Sequence, residues 1–169
     1  MDEDKPGEDK DDGFAQFVSE VRPGLRRHAY LLCGDWHEAE DLVQNTLLAV
    51  LLRWDRLLWP EAARGYTRTT LYRTFLSERR HARWSTETSR AEVPERAADE
   101  QFDAVGDRLI LAAALRELPA RQRAAVMLRY LEDLDVTHTA QILECAPATV
   151  RSQTTRALAS MRASLSRQG

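Results

Sequence analysis

Apolar residues recur at every third or fourth position along most of this chain, and that spacing constrains the fold more than any other feature. It places apolar side chains on one face of an α-helix. The clearest case follows Asp35 and comprises Ala39, Leu42, Val43, Thr46, Leu47, Val50, Leu51 and Trp54. No segment alternates apolar and polar residues as a half-buried strand does. The chain is therefore predicted to be all-α.

Local signals predict where individual helices begin and end. Asp35 and Glu38 have the spacing of a capping box at the start of the helix just described. Pro23 is expected to kink the preceding helix, which starts near Phe14, or to begin a second one. Further helices are predicted over about 61–82, 107–118, 120–131, 137–143 and 147–166.

Two polar segments suggest how the chain is divided into domains. Residues 1–12 contain seven acids and two lysines, so they are predicted to form a disordered acidic tail. Residues 86–104 contain six acids, two arginines and Pro94, with few large apolar side chains, as a flexible linker does. The predicted fold is therefore two small helical domains, 13–85 and 105–169, joined by that linker.

The overall charge of −3 hides two basic segments. Residues 53–90 contain nine arginines against four acids, and residues 147–169 contain four arginines and no acid. Separated basic segments in a chain with an acidic tail favour a polyanionic partner. Solvated helix faces are the alternative interpretation.

Several classes of protein are disfavoured by what the sequence lacks. No run of 18 apolar residues is present, and the acidic N-terminus does not resemble a signal peptide, so we expect a cytoplasmic protein without membrane insertion. Cys33 and His37 lie four residues apart, but no further cysteine or histidine nearby completes a zinc site. Cys145 is interpreted as a small packing residue. No metal, cofactor or catalytic nucleophile is predicted.

The C-terminal segments predict a helix-turn-helix, because a short helix at 137–143 and a helix at 147–166 are separated by a tight turn. The stripe predicted to pack inside the second helix contains Val150, Leu158, Met161 and Leu165, with Thr154 and Ala157 between them. Its opposite face has small residues, hydroxyls and arginines without an acid. The second helix of this motif enters the DNA major groove, where arginine contacts guanine bidentately. An ordinary amphipathic C-terminal helix is the alternative.

A family resemblance is carried by two stretches of sequence. Residues 115–162, LRELPARQRAAVMLRYLEDLDVTHTAQILECAPATVRSQTTRALASMR, resemble the C-terminal domain of the sigma-70 family of RNA polymerase sigma factors. They most resemble the extracytoplasmic-function group, in an actinobacterial-type subgroup. Residues 34–54, GDWHEAEDLVQNTLLAVLLRW, are similar to that family's polymerase-binding helix. The resemblance covers about 14–168 and implies a non-catalytic subunit that gives polymerase its promoter specificity.

The resemblance also implies three sets of site residues. The readers of the −35 promoter element would be Arg151, Ser152, Thr155 and Arg156. The contacts with core RNA polymerase, at the clamp helices of its β′ subunit, would be Asp41, Gln44 and Leu47. The cations near the −10 element, which the helix at 66–83 and its preceding loop would melt, would be Arg68, Arg73, Arg79, Arg80 and Arg83. Promoter DNA and core polymerase are the expected partners, and an anti-sigma factor is a further candidate because the group commonly has one.

Some positions depart from the pattern of the family that the chain resembles. Asn45 stands where the family usually has Glu, and Arg73 stands where Asn is common, so Arg73 is expected either to read the −10 element or to pair with Glu78 or another acid. Glu144 replaces a usual Gly. Ala146 replaces a usual Ser N-cap, so the start of the last helix is expected to fray.

Two other functions are compatible with parts of the sequence. A stand-alone helix-turn-helix regulator would use its front half to sense a ligand or to dimerise, and would bind a palindromic site without polymerase. A small all-helical enzyme or scaffold is the third interpretation, for which no group of residues argues. The polymerase-binding pattern at 34–54 favours the sigma-factor interpretation.

Overall fold

The structure, a computed structural model, describes residues 8–85 and 105–168, and seven α-helices lie within these ranges. The helices are α1 (Glu8–Cys33), α2 (Trp36–Leu51), α3 (Pro60–Ser85), α4 (Val105–Arg116), α5 (Ala120–Tyr130), α6 (Val136–Leu143) and α7 (Pro147–Gln168). A 3₁₀ turn, Trp54–Arg56, separates α2 from α3. Within these ranges there is no strand, and the all-α fold class with a helix-turn-helix at α6 and α7 is confirmed. The predicted linker at 86–104 lies outside the described residues.

Helix α1 differs from the sequence prediction at two places. It begins at Glu8, inside the predicted tail at 1–12, and residues 1–7 of that tail lie outside the described part. It also runs through Pro23 without ending. A proline inside a helix removes one hydrogen bond, but Phe17 before it and Leu25 after it are both buried in apolar clusters that include residues of α2 and α3. Packing on both sides of the proline therefore keeps the helix continuous.

The start of α2 follows the predicted capping signal. The Asp35 carboxylate accepts a hydrogen bond of 3.0 Å from the Glu38 backbone N–H. Gly34, immediately before, has a φ of +74°, which glycine adopts without strain. The side chain of Arg116, from α4, lies 2.7 Å from where a Cβ on Gly34 would stand. Glycine is needed here for the turn, and a Cβ at this position would in addition displace the Arg116 side chain.

The helix-turn-helix is packed around α5, which is buried along most of its length. The turn between α6 and α7 places Glu144 in the left-handed region, at a φ of 53°, and the Cys145 N–H donates to the Ala140 carbonyl oxygen at 3.0 Å. On the inner face of α7 the most buried residues are Val150, Thr154, Ala157 and Ser164. Leu165, predicted to lie in this stripe, is instead 43% exposed, because Ser164 occupies the inward position one residue earlier.

The two halves of the chain, residues 8–85 and 105–168, pack directly against each other. Helix α3 contacts α5 and α6, and α1 contacts α4 and α5. One apolar cluster includes Leu32 and Phe75 from the first half together with Leu115 and Met127 from the second. We call this packing the closed arrangement; the division into two domains did not predict it.

Candidate nucleic-acid and polymerase interfaces

The outer face of α7 presents the four residues predicted to read the −35 element. Arg151, Ser152, Thr155 and Arg156 are all exposed, opposite the buried Val150, Thr154 and Ala157. In the described ranges no acidic side chain lies within ion-pair distance of Arg151 or Arg156. Both guanidinium groups are therefore available to phosphate or base edges.

The start of α7 has a local signal other than a Ser cap. Pro147 is its first residue, a position where proline is favoured because its missing N–H has no partner in the helix. The N–H groups of Thr149 and Val150 donate to the Ala146 carbonyl oxygen at 2.9 and 3.2 Å. Proline at the first helical position presets a helical φ, so it favours the start of this helix where the sequence lacks the usual Ser cap.

Helix α6, the first helix of the motif, is capped by Asp135. Its carboxylate accepts from the backbone N–H of His138 at 2.8 Å, and the His138 ring Nδ1 lies 2.8 Å from the other oxygen. These hydrogen bonds, led by the one from the backbone, lower the pKa of the Asp135 carboxyl. The cap fixes the start of the helix that supports α7.

The five arginines of α3 predicted near the −10 element do not form one free surface. Arg80 and Arg83 are exposed. Arg68 approaches Glu132 at 3.8 Å, and Arg73 donates to the carbonyl oxygens of Gln141 at 2.9 Å and Ile142 at 3.0 Å. Arg79 pairs with Glu38 at 2.5 Å, within the first half. Arg73 pairs with another acid, as the alternative allowed, and this acid is Glu144 rather than Glu78.

The partner of Glu78 is instead Asn45 of α2, whose Nδ2 donates to its carboxylate at 3.0 Å. Asn45 therefore joins α2 to α3, where the sequence had shown only a departure from the family pattern. The nearest acid to Arg73 is Glu144, at 3.8 Å and mostly exposed.

Arginines from α3 and α7 face a common cleft between the two halves. The cleft has a volume of about 360 Å³, and its basic lining residues are Arg79, Arg80, Arg83, Arg121 and Arg156. A second cleft of similar size shares Arg79 and Arg83 and reaches Cys33. Burial raises the pKa of the Cys33 thiol to about 12, so the thiol is protonated at neutral pH and is a poor nucleophile.

The outer face of α2 presents the residues predicted to bind polymerase. Asp41 and Gln44 are exposed, and Leu47 is half-buried. Leu48, which the sequence analysis did not select, is 55% exposed, and Leu52 beyond the helix is 78% exposed. The sequence did contain a signal for Leu48, because it is an apolar residue that lies next to the predicted buried stripe and not within it. The α2 face therefore combines an acid, an amide and exposed leucines.

The segment between α2 and α3 adds a second set of exposed apolar groups. Trp59 and Leu58 are 59% and 75% exposed. Trp54, by contrast, packs against Phe14 and Phe17, with ring centroids 5.2 and 5.0 Å apart. Trp54 thus anchors this segment, while Trp59 is accessible to a partner.

The described residues contain no group of three or more side chains that could hold a metal ion. Among their helices, none is long and apolar enough to cross a membrane.

Comparison with known proteins accounts for both halves of the chain. The model for "Sigma-70 region 2" matches residues 17–85, and the model for "Sigma-70, region 4" matches residues 108–161. The RNA polymerase sigma-E factor of Streptomyces avermitilis is 32% identical over 152 residues, which cover 90% of this chain and 84% of that protein. The ECF RNA polymerase sigma factor SigL of Mycobacterium tuberculosis is 32% identical over 155 residues, covering 86% and 84%.

The chain belongs to the sigma-70 family, in its extracytoplasmic-function group. In this sigma factor the region 2 match includes α2 and α3, and the region 4 match includes the helix-turn-helix. A stand-alone regulator would need no region 2, so the family excludes that interpretation.

Solved structures are similar to this sigma factor over most of its length. The co-crystal structure of the sigma factor RpoE with the anti-sigma factor NepR from Bartonella quintana is similar with a TM-score of 0.72 and 27% identity, over 91% of this chain and 97% of that one. The NMR structure of the PhyRSL–NepR complex from Sphingomonas sp. Fr1, at 24% identity and a TM-score of 0.58, shows similarity of fold alone.

Proposed function

We propose that this sigma factor directs core RNA polymerase to promoters through three surfaces. The α2 face binds the clamp helices of the β′ subunit, α3 and its preceding loop contact the −10 element, and α7 reads the −35 element. The protein acts in the cytoplasm and catalyses no reaction itself. The observation that carries this proposal is that one chain exposes two unlike surfaces, an acidic and apolar one on α2 and a cationic one on α7.

The α2 face has the chemistry of a protein interface. An exposed apolar patch that is rimmed by polar residues is typical of a protein contact site. Leu48 and Leu52 supply the apolar area, and Asp41 and Gln44 supply the polar contacts. Since Asp41 pairs with no cation in the described part of the chain, its charge is available to a partner.

The α7 face has the chemistry of a DNA reader. Its arginines can donate bidentately to guanine or to phosphates, and its hydroxyls can meet either. Ser152 already donates to the Thr149 carbonyl oxygen at 3.0 Å, so it meets DNA as an acceptor or after rotation.

Some of the residues assigned to the −10 element are exposed, and others contact the second half of the chain. Arg80 and Arg83 are exposed cations, and Trp59 offers an aromatic face for stacking single-stranded bases. Arg68 and Arg73 reach DNA only after their contacts with the second half are released. An anti-sigma factor is a further candidate partner, since the similar RpoE was crystallised with one.

The experiment compares Asp41→Arg with Asp12→Arg, a matched reversal of an exposed acid on α1. Losing one member of an interface charge pair costs about 2–5 kcal/mol, so Asp41→Arg should bind core polymerase about 30-fold more weakly or worse. Asp12→Arg should bind as the wild type does. Affinity is measured with purified core polymerase, and circular dichroism checks the fold of both variants. Equal affinities for the two variants would remove Asp41 from the interface.

A further inference from the structure

The cleft that reaches Cys33 is lined by four arginines and, in the described part of the chain, by no acid. We call it the arginine cleft. Its arginines come from three helices and are Arg79 and Arg83 of α3, Arg116 of α4 and Arg123 of α5. Its volume of about 360 Å³ is at the lower end of the range for ligand pockets. A concave site of this size and charge favours a small anion as its ligand.

The packing of the protein accounts for two of these four arginines. Arg79 pairs with Glu38 at 2.5 Å, and it donates to the Cys33 carbonyl oxygen at 3.4 Å. Arg123 donates to three backbone carbonyl oxygens, among them that of Leu32. Both side chains thus bind carbonyls at the C-terminal end of α1, where a cation is favoured.

The other two arginines, Arg83 and Arg116, have no such role. Both are exposed, and within the described ranges neither side chain donates a hydrogen bond or lies within ion-pair distance of an acid. The Arg116 side chain lies over Gly34, with its Cδ 2.7 Å from where a Cβ of that glycine would stand. The buried Nε of Arg123 also lacks a hydrogen-bond partner in this part of the chain. The cleft therefore contains guanidinium donors for which the chain supplies no acceptor.

Neighbouring acids leave the positive charge of the cleft largely in place. The two acids that act on the Cys33 thiol, Glu38 and Glu78, are each bound to another side chain. Burial, and then neighbouring positive charge, that of Arg79 above all, lower the pKa of Arg123 to about 10. The guanidinium groups thus repel one another, and a bound anion would offset this repulsion.

The start of α5 adds backbone donors to the same cleft. Ala120, its first residue, lines the cleft, and Pro119 before it provides no side-chain cap. The first N–H groups of a helix have no partner within the helix and lie at the positive end of its dipole. Acids are favoured at this position, but the first turn of α5 contains Arg121 and Arg123 and no acid. The helix dipole and the guanidinium groups therefore favour the same ligand charge.

We propose that the arginine cleft binds a diphosphate group, either as free pyrophosphate or as part of a nucleotide. Arginine forks bind phosphate oxygens bidentately. The two unpaired forks come from different helices, Arg83 from α3 and Arg116 from α4, so a ligand with two adjacent phosphates can meet both. The site goes beyond the three proposed surfaces, because neither Arg116 nor Arg123 belongs to any of them.

The test is calorimetric titration of the full-length protein with sodium pyrophosphate at neutral pH and fixed ionic strength. Arg83→Gln and Arg116→Gln each remove one proposed contact. Each should weaken binding about tenfold or more, the equivalent of losing one hydrogen bond to a charged group. Arg27→Gln removes the same charge from an exposed position on α1 that does not line the cleft, so it should bind as the wild type does. Circular dichroism checks the fold of all three variants.

Nuclear magnetic resonance of the backbone amides locates the site. Pyrophosphate should shift the resonances of Ala120 and Arg121 at the start of α5. The resonance of Ala148, at the start of α7, should stay in place, because that helix start does not line the cleft. Shifts at Ala148 without shifts at Ala120 would contradict the assignment.

Two further titrations define the ligand. Orthophosphate should bind about tenfold more weakly than pyrophosphate or worse, because one phosphate cannot meet both forks. Comparison of ATP with inorganic tripolyphosphate distinguishes the two sources of the diphosphate. Tighter binding of ATP would identify a nucleotide as the ligand, and equal or weaker binding would identify the inorganic anion.

Three results would overturn the proposed site. They are the absence of saturable pyrophosphate binding, an equal loss of affinity in Arg27→Gln and Arg116→Gln, and orthophosphate binding as tight as that of pyrophosphate. None of these measurements involves polymerase or promoter DNA. A failure of the proposed function appears separately, as loss of the Asp41 effect on core binding.

Discussion

Replacing Arg123 with methionine should destabilise the folded protein more than any exposed arginine substitution. Arg123 is only 9% exposed. Its guanidinium donates to the carbonyl oxygen of Leu32 at the end of α1, and to those of Leu118 at 3.0 Å and Arg116 at 3.1 Å. One side chain therefore satisfies carbonyls at the ends of α1 and α4. Methionine has a similar length but no donor, so it would leave these three oxygens without this partner.

The size of the effect follows from two opposing contributions. Hydrogen bonds to a charged group contribute about 1.5–3 kcal/mol each, so three contribute about 5–9 kcal/mol. Burial, together with the neighbouring positive charge of Arg79, lowers the pKa of Arg123 to about 10. That lowering from the ordinary value of 12.5 corresponds to a cost of about 3 kcal/mol, at about 1.4 kcal/mol per pKa unit. Methionine recovers the cost and loses the bonds, so the expected loss in free energy of unfolding is about 2–6 kcal/mol.

The assay is urea unfolding at neutral pH, followed by circular dichroism of the helices. Arg162→Met is the matched control, because Arg162 is exposed on α7 and should change the free energy of unfolding by less than about 0.5 kcal/mol. A loss below about 1 kcal/mol for Arg123→Met, with the fold unchanged, would show that water replaces the guanidinium at these carbonyls. Arg123 would then not stabilise the packing of the two halves through the Leu32 carbonyl oxygen.

Two further predictions concern the helix-turn-helix. Arg151→Ala and Arg156→Ala should each reduce transcription from the native promoter; loss of a base contact costs about 1–3 kcal/mol, whereas loss of a phosphate contact lowers the salt slope of binding by about one. Normal transcription by both variants would contradict the assignment of α7 to the −35 element. Glu144→Gly should stabilise the protein by about 0.5–1 kcal/mol in urea unfolding, because glycine adopts a φ of 53° without strain and the exposed contact with Arg73 contributes little. Destabilisation would mean that the Glu144 side chain matters more than its backbone.

Short-range patterns in the sequence were sufficient for the helices and for much of the exposed site. A period of three to four residues encodes which face of a helix is apolar, and Asp35 and Pro147 carry local signals for helix starts. The same periodicity placed Arg151 and Arg156 opposite the buried face of α7. These features depend on neighbours within a few positions, so one sequence is enough to predict them. The prediction that Leu165 lies in the buried stripe was wrong, because the inward position is one residue earlier, at Ser164. Periodicity alone does not resolve a difference of one residue.

Only the tertiary structure decided how the halves meet and which arginines are free. Arg73 bonds to carbonyls 68 and 69 residues further along the chain, and backbone carbonyls have no side-chain signature in a sequence. The buried position of Arg123 has the same origin, since its guanidinium donates to the Leu32 carbonyl oxygen of the other half. Composition showed that the chain is rich in arginine. Whether a given guanidinium has a hydrogen-bond or ion-pair partner, however, depends on which residues long-range packing places next to it. That packing places Glu132 against Arg68 and leaves Arg80 exposed.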